Sequence, residues 1–260
     1  MKEGFLQFAH DEGIDWTPQD RVAEAEALIE TAGRLCYMSY KTPRPGGTKA
    51  YLQHILESGH GSVLEHAAWN FIITNVSRSL THELVRHRHF SFSQLSQRYV
   101  DESVAEYVEP DVIANDTLAA HAMWQQTVSE AHRGYRVLID SLMDLALKQR
   151  WPESVGEQRA FLFATLSAEE KTRIRKQVRQ AARSVLPNAT ETKIFVTLNA
   201  RAARNGIEQR CSRHAEPEIR KVFGMMWEIL VKEAPNLFSD YRKVDLPDGT
   251  FELVTDYKKV

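Results

Sequence analysis

The chain has 260 residues, of which 43% are hydrophobic and 26% charged, and its formal net charge is -2. This length and apolar content suffice for one large domain with a sizeable core. The near-zero net charge argues against broad electrostatic binding to nucleic acid, and no apolar run approaches the roughly 18 residues of a membrane span.

Two further features indicate a cytoplasmic protein. Residues 1–13 are polar and acidic and lack the apolar core of a secretory signal. The two cysteines, Cys36 and Cys211, are too few for a disulfide framework in a chain of this length, and they lack the spacing of metal ligands.

Helical signals dominate the N-terminal third. The pair Thr17-Pro18 predicts a helix N-terminus, and apolar residues from Val22 to Leu35 form one face of that helix. The Pro- and Gly-rich stretch 41–48 predicts a loop, and a short helix follows it over residues 51–59. The residues 69–76 predict a strand with Phe71 and Ile73 on one face.

The middle of the chain predicts two helices. The first covers 77–87, so the basic residues after it begin at a helix C-terminus, where cations are stabilised. The second is the longest, from about Asp116 to Lys148. It carries a heptad-like apolar seam that favours helix packing, within a subunit or between subunits, over pocket lining. The seam consists of Trp124, Val128, Ala131, Tyr135, Leu138, Leu142 and Leu145.

The C-terminal part alternates helices with strands. Ser167 with Glu170 forms a capping box that opens a basic helix reaching about Leu186. A strand over 190–198, helices over 199–212 and from 217, and a hairpin turn at 247–249 follow. Without repeats or a linker, the sequence predicts a single domain over 1–260. Its fold class is a helix-rich α+β fold with a small, mostly antiparallel sheet.

The segment 86–99 carries the clearest functional signal. Three arginines stand there beside serine hydroxyls, histidines and an amide. Arginine forks match phosphate oxygens at two points, and hydroxyl donors fill the remaining positions. A solvated, charged helix end with scattered ion pairs is the alternative. The mixture of donors and acceptors favours a pocket for phosphorylated small molecules.

Clustered histidines suggest a metal hydrolase as a second hypothesis. His82 and His87 flank a glutamate, as in zinc-protease helices. Those helices carry their histidines four residues apart, whereas a gap of five rotates the second ring by about 140°. Hydrogen-bonded or pocket-lining histidines are therefore the better interpretation.

A basic helix suggests a third hypothesis, an RNA- or nucleotide-binding module. Arg175, Arg179 and Arg183 are four residues apart and share one face. No aromatic residues interleave with them for base stacking, which favours a solvated cationic face. Arg183 differs, because small neighbours in residues 181–187 allow close approach.

A fourth group lies on the helix predicted after the second strand. Asn199 and Arg201 fall in its first turn, where free N–H groups favour anions, and Asn205 and Arg210 follow. Taken alone, Asn205 is a surface amide and Arg210 an ordinary ion-pair residue. No Gly-x-Gly-x-x-Gly turn and no phosphate-binding loop of the Walker type is present, so the fold is not a Rossmann fold.

Four segments together resemble the flavin-dependent thymidylate synthases. They are residues 59–66, 86–99, 183–187 and 199–214, and the similarity runs from about 20 to 250. The pattern Arg86-His87-Arg88, followed by seven residues and Ser96, is similar to the family's signature.

The resemblance implies a reaction and an assembly. The family makes dTMP from dUMP, with methylenetetrahydrofolate as one-carbon donor, FAD as hydride carrier and NADPH as reductant. It implies a homotetramer whose active sites combine several subunits, with no nucleic-acid or membrane partner, no metal and no cysteine nucleophile. Arg210 is the implied catalytic residue, stabilising negative charge on the pyrimidine.

The resemblance also assigns binding residues. For dUMP they are Glu83, Arg86, Gln94, Ser96, Arg98, Arg183 and Arg210. For FAD they are His60, Ser62, Arg86, His87, Arg88, Gln94, Asn199, Arg201 and Asn205. Many relatives carry a glutamate at the position of Gln94, whereas this chain carries an uncharged amide there.

Overall fold

The computed structural model describes residues 2–19, 22–41, 45–116 and 118–258. The helices are α1 (Lys2–Asp11), α2 (Glu24–Tyr37), α3 (Gly47–Glu57), α4 (Arg78–Leu84), α5 (Asp111–Ala114), α6 (Ala120–Arg150), α7 (Gly156–Thr165), α8 (Ala168–Ala182), α9 (Ala200–Arg210), α10 (Pro217–Glu233) and α11 (Pro235–Phe238). Short 3-10 helices cover Gly61–His66, Glu102–Val104 and Arg183–Val185. The strands are β1 (Ala68–Ser77), β2 (Ser91–Gln94), β3 (Glu191–Asn199), β4 (Arg242–Asp245) and β5 (Phe251–Val254). This helix-rich α+β architecture confirms the predicted fold class.

The chain forms two compact units, each built from segments distant in sequence. Unit 1 consists of Met1–Phe71, Leu84–Phe92 and Val196–Val260, and unit 2 of Ile72–Glu83 and Ser93–Phe195. The single domain over 1–260 remains a prediction. Among the described residues, no helix combines the length and apolarity needed to cross a bilayer.

The three-stranded sheet has the order β1-β3-β2. The amide of Arg78 donates to the carbonyl of Thr190 beyond one end of β1, and the amide of Ala200 donates to the carbonyl of Ala67 beyond the other. These bonds make β1 and β3 antiparallel. Burial alternates along β3, with Ile194 on the buried side, as expected of the strand predicted over 190–198.

Unit 1 has a core of aliphatic and aromatic side chains from α2, α3, α9, α10 and α11. Its second sheet is the hairpin of β4 and β5, in which Arg242 pairs with Val254 and Asp245 with Phe251. Gly249 in the turn has a φ of 76°, a conformation that glycine adopts without strain. The predicted C-terminal hairpin is therefore confirmed.

Unit 2 is organised by α6, which packs against α8. Of the predicted seam of α6, Val128 and Tyr135 are buried within the chain. Leu145 is 48% exposed in the single chain while Leu147 is buried, so packing of Leu145 between subunits stays a prediction. Asp116 lies before this helix and accepts from its first backbone amides, so the helix begins at Ala120. The predicted capping box of Ser167 and Glu170 at α8 is confirmed.

The predicted helix start at Thr17 is wrong. The helix begins at Glu24, after an extended Ala23, and has acidic residues in its first turn, which the helix dipole favours. The side chain of Gln19 instead accepts from the amide of Thr48 at 3.3 Å, so Gln19 supports the start of α3. Part of the predicted loop, residues 42–44, lies outside the described residues.

Candidate active site

The predicted site residues divide between the two units. Unit 1 contains His60, Ser62, Arg86, His87, Arg88, Asn199, Arg201, Asn205 and Arg210. Unit 2 contains Glu83, Gln94, Ser96, Arg98 and Arg183. Most of the predicted flavin residues therefore share one unit, and the predicted dUMP residues are found in both.

The basic segment after α4 forms a turn with alternating exposure. His87 and Phe90 are buried, whereas Arg86 and Arg88 are exposed. Phe90 lies against α9 because Gly206 leaves room for it: a Cβ there would lie 2.9 Å from the Phe90 ring. This close approach fixes the turn on α9 and leaves both guanidinium groups at the surface.

Arg86 and Arg88 line one side of a pocket of about 220 Å³, and α9 supplies the other side through Ala202, Asn205 and Gln209. The cluster thus joins two cations to amide donors and acceptors. Phosphate oxygens suit such a donor set. Four of the predicted flavin residues, including His87, meet at this pocket.

His87 makes a directed contact with Arg210 at the end of α9. The Nε of Arg210 donates to the Nε2 of His87 over 2.9 Å. Burial of the imidazole, assisted by the positive charge of Arg210, lowers the pKa of His87 to about 4. The ring is therefore neutral at pH 7 and accepts the hydrogen bond.

A second pocket in unit 1 has a volume of about 520 Å³ and is lined by His60, Ser62 and Arg201. His60 directly precedes the 3-10 helix Gly61–His66, which carries Ser62. Arg201 forms an ion pair with Glu65 at 2.6 Å, although both side chains are about half exposed. The remaining predicted flavin residues of unit 1 thus gather at this pocket, apart from Asn199.

Asn199 has a structural task. Its side-chain oxygen accepts from the amide of Ala202 at 2.8 Å, which caps the N-terminus of α9. A ligand contact of Asn199 would therefore use its NH₂ group. The predicted first-turn position of Arg201 is confirmed, since α9 begins at Ala200.

Sequence reasoning missed Arg204, which anchors α9. This arginine is fully buried and donates from both Nη atoms to Asp240, at 2.7 and 2.8 Å. It also donates to the carbonyls of Leu237 and Tyr257. The small residues around it in the sequence were the available signal, because they let the helix pack closely.

In unit 2, Gln94 is held by two hydroxyl groups. Its Nε2 donates to the Oγ1 of Thr81 at 3.0 Å and to the Oγ1 of Thr192 at 3.3 Å. The side chain of Thr81 in turn donates to the carbonyl of Arg78. The amide is thus used as a donor, a role that an ionised glutamate would not fill.

Ser96 and Arg98 lie in a turn directly after β2. The Oγ of Ser96 accepts from the amide of Arg98 at 3.4 Å, and the carbonyl of Ser96 accepts from the amides of Tyr99 and Val100. Strand β2 has no counterpart among the elements predicted from the sequence, although its alternation of serine with Phe92 and Gln94 is a strand pattern.

Arg78 is a second residue that sequence reasoning missed. Its Nη2 donates to the carbonyl of Leu95 at 2.8 Å, which supports the segment leading to Ser96. Burial lowers the pKa of Arg78, the negative charge of Glu102 opposes that shift, and the positive charge of Arg183 adds to it. Arg78 and Arg183 therefore concentrate positive charge in this part of unit 2.

Cys211 directly follows Arg210, yet its thiol is inaccessible. It is fully buried and its Sγ faces the carbonyl of Arg220 at 3.8 Å. Burial raises the pKa of Cys211 to about 12, with the charge of Arg220 opposing the shift. A thiol in this state is a poor nucleophile.

The cationic face of α8 is largely engaged within unit 2. Arg179 donates to Asp101 at 2.9 Å, and Lys176 donates to the hydroxyl of Tyr99 at 2.6 Å. Arg175 lies 5.5 Å above the ring of Phe163. These contacts give the helix a packing role, and they weaken the hypothesis of a nucleic-acid surface.

The histidines do not form a ligand cluster. Across the part of the chain that the structure describes, no three His, Cys, Asp or Glu side chains are grouped so that they could hold a metal ion.

Comparison with known proteins identifies relatives over most of the chain. The family described as thymidylate synthase complementing protein matches residues 19–236. A flavin-dependent thymidylate synthase of Corynebacterium diphtheriae is 42% identical over 256 residues, covering 96% of this chain and 94% of the relative. One from Corynebacterium aurimucosum is 43% identical, covering 94% and 90%. One from Mycobacterium sp. (strain JLS) is 45% identical, covering 86% and 83%.

Proposed function

We propose a specific reaction for this protein from the premise that the chain belongs to the flavin-dependent thymidylate synthase family. The protein is accordingly an enzyme, a flavin-dependent transferase of dTMP synthesis. The proposed reaction converts dUMP to dTMP, with FAD as the flavin, methylenetetrahydrofolate as one-carbon donor and NADPH as reductant. Since NADPH and folate are cytoplasmic metabolites, we assign the enzyme to the cytoplasm.

The pocket of Arg86, Arg88 and Asn205 supports FAD as the flavin. A dinucleotide carries two phosphates, and two exposed guanidinium groups beside an amide suit them. The pocket of His60, Ser62 and Arg201 offers further polar contacts to the same cofactor. When bound, FAD supplies hydride transfer, while the protein supplies position and electrostatic field.

The dUMP phosphate is assigned to Ser96, Arg98 and Arg183. The turn at Ser96 carries a hydroxyl, and the half-buried Arg98 adds a cation two residues later. Arg78 and Arg183 add to the positive charge of this region. A dianionic phosphate is the group that such a concentration of arginines binds best.

The pyrimidine is assigned to Arg210. The proposed mechanism depends on the protonation states of Arg210 and Cys211. C5 of uracil is a poor nucleophile and must be activated. A thiol with a pKa of about 12 does not activate it by addition, because almost none of it is thiolate at pH 7. A guanidinium stays protonated, so Arg210 stabilises negative charge that develops at N3 and O4 of the ring.

We propose a homotetramer with shared active sites as the working assembly. Very exposed apolar side chains in unit 2 support association, since such residues commonly mark interfaces. The most exposed are Val104 at 85%, Val112 at 82% and Leu118 at 89%. Light scattering would then give about four times the 29.8 kDa mass of the chain.

The reaction is tested by tritium release from 5-labelled dUMP. We expect a yellow protein that bleaches under anaerobic NADPH and releases tritium only when both methylenetetrahydrofolate and NADPH are present. As a control, Arg175→Glu should leave turnover unchanged, whereas it should abolish the binding expected of a nucleic-acid module. A protein that takes up no added FAD would contradict the proposal.

A further inference from the structure

The contact between His87 and Arg210 has a defined chemical direction. A guanidinium offers only N–H donors, so the Nε2 of His87 must accept the 2.9 Å hydrogen bond. A neutral imidazole that accepts at Nε2 carries its proton on Nδ1. The lowered pKa of His87, about 4, agrees with a neutral ring at physiological pH.

Aromatic packing fixes the His87 ring. The ring stacks on Phe90 with centroids 4.9 Å apart and planes 19° apart, and Phe223 lies 5.8 Å away on a tilted plane. A Cβ on Gly206 would lie 2.6 Å from the Phe223 ring, so the glycine allows this close packing. The acceptor atom of His87 is thus held by groups with no charge of their own.

The backbone below Arg210 is fixed as well. The amide of Cys211 donates to the carbonyl of Ile207, and the carbonyl of Cys211 accepts from the amide of Leu253 in β5. The end of α9 is therefore joined to the C-terminal hairpin. With the backbone held there and Nε held by His87, the long arginine side chain is constrained at both ends.

We propose that His87 is a positioning residue for catalysis, whose neutral imidazole orients the guanidinium of Arg210 toward the pyrimidine of dUMP. A carboxylate at this position would fix Nε equally well, but it would add a negative charge beside the cation. The imidazole fixes Nε without adding charge. Donors that are oriented beforehand stabilise a developing anion without reorganising during the reaction. This inference rests on the proposed function of Arg210.

Two substitutions separate this role from ordinary packing. His87→Phe keeps an aromatic ring against Phe90 but removes the acceptor, whereas His87→Gln keeps an acceptor oxygen near the Nε2 position but removes the stacking. If His87 positions Arg210, His87→Phe should lower kcat/KM for dUMP about 100-fold, and His87→Gln should stay within about 10-fold of the wild type. If His87 only packs, the order reverses.

Each variant is measured as the FAD-loaded enzyme for dUMP binding by calorimetry, flavin content by absorbance, thermal unfolding, and tritium release. Because His87 lines the pocket proposed for FAD, turnover is compared at equal flavin content, and we expect both variants to reach the wild-type flavin content when FAD is added in excess. Combining His87→Phe with Arg210→Ala should be no worse than Arg210→Ala alone, because the residues act as one unit. His82→Phe, at an exposed position of α4, is the matched control and should change none of these quantities.

The outcomes distinguish this inference from the proposed function. If the wild type does not turn over dUMP, the proposed function fails, and nitrogen-15 NMR of histidine-labelled protein still reports whether His87 is protonated on Nδ1 and responds to Arg210→Ala. If the wild type is active and His87→Phe has the same kcat/KM, His87 does not position Arg210. The same conclusion follows if His87→Phe loses FAD and His87→Gln does not restore FAD binding. The last result would make His87 a flavin ligand.

Discussion

Replacing Cys211 tests whether the pyrimidine is activated by the charge of Arg210 or by attack of the Cys211 sulfur. The thiol is fully buried and its pKa is raised to about 12. At pH 7.5 such a thiol is ionised in roughly one molecule in 30,000, which leaves too little thiolate to attack a pyrimidine. We therefore expect Cys211→Ala and Cys211→Ser to keep kcat and kcat/KM within about twofold of the wild type.

The stability of the same variants gives a second magnitude. Cys211→Ala removes one sulfur from a packed site, and the loss is comparable to that of one buried methylene, about 1 kcal/mol. For a protein of this size, 1 kcal/mol corresponds to a decrease in Tm of about 2–4 °C. Cys211→Ser retains an atom that donates to the carbonyl of Arg220. The loss of stability of this variant therefore reports the free-energy cost of placing a hydroxyl group in the core.

The assay compares initial rates of tritium release at equal flavin content, after urea unfolding has shown that the variants are folded. A folded, FAD-containing Cys211→Ala enzyme that loses turnover by 100-fold or more would refute the reasoning. Detection by mass spectrometry of a covalent adduct between Cys211 and the nucleotide would do the same. If Cys211→Ala loses both activity and folding, the activity of Cys211→Ser decides between the two explanations.

Four further predictions concern charge. Arg210→Ala should lower turnover about 10²–10³-fold with FAD retained, whereas Arg88→Ala should weaken FAD itself, as flavin titration would show. Asp240→Ala should destabilise the protein by about 3–5 kcal/mol in urea unfolding, because it leaves the buried Arg204 without its carboxylate. The pKa of His87, about 4, lies below its usual 6.5. As the pH falls, the unfolded chain therefore takes up this proton at a higher pH than the folded chain does. The free energy of unfolding should fall by up to about 3 kcal/mol from pH 6.5 to 4, and His87→Gln should lack this dependence on pH.

The sequence predicted those elements whose periodicity was long and regular. The strands at 69–76 and 190–198 and the helix at 199–212 differ from β1, β3 and α9 by at most two residues at either end. Elements with weaker signals were missed, namely α1, α5, α7, α11 and β2. The wrong start at Thr17 shows that a local capping pattern does not decide a helix boundary when a contact such as that of Gln19 with Thr48 competes.

For the site, the sequence suggested residues but not their partners. Arg86, Arg88 and Asn205 line one pocket, and their assignment to flavin stays a prediction. The roles of Arg204 and of the His87 ring depend on burial, which is a tertiary property. The sequence indicates that Gly206 is small, but only the fold indicates that Phe90 occupies the space beside it.

The arginines differ in the charge of the side chains that hold them. Arg204 and Arg34 are buried against Asp240 and Glu30, so their charge is compensated within the fold and serves packing. The hydrogen bond from Arg210 to His87 differs from these ion pairs, because a neutral ring orients the guanidinium without itself adding a negative charge. A donor that is oriented before the reaction stabilises a developing anion without reorganising, and a buried, neutral histidine is a side chain that orients a guanidinium in this way.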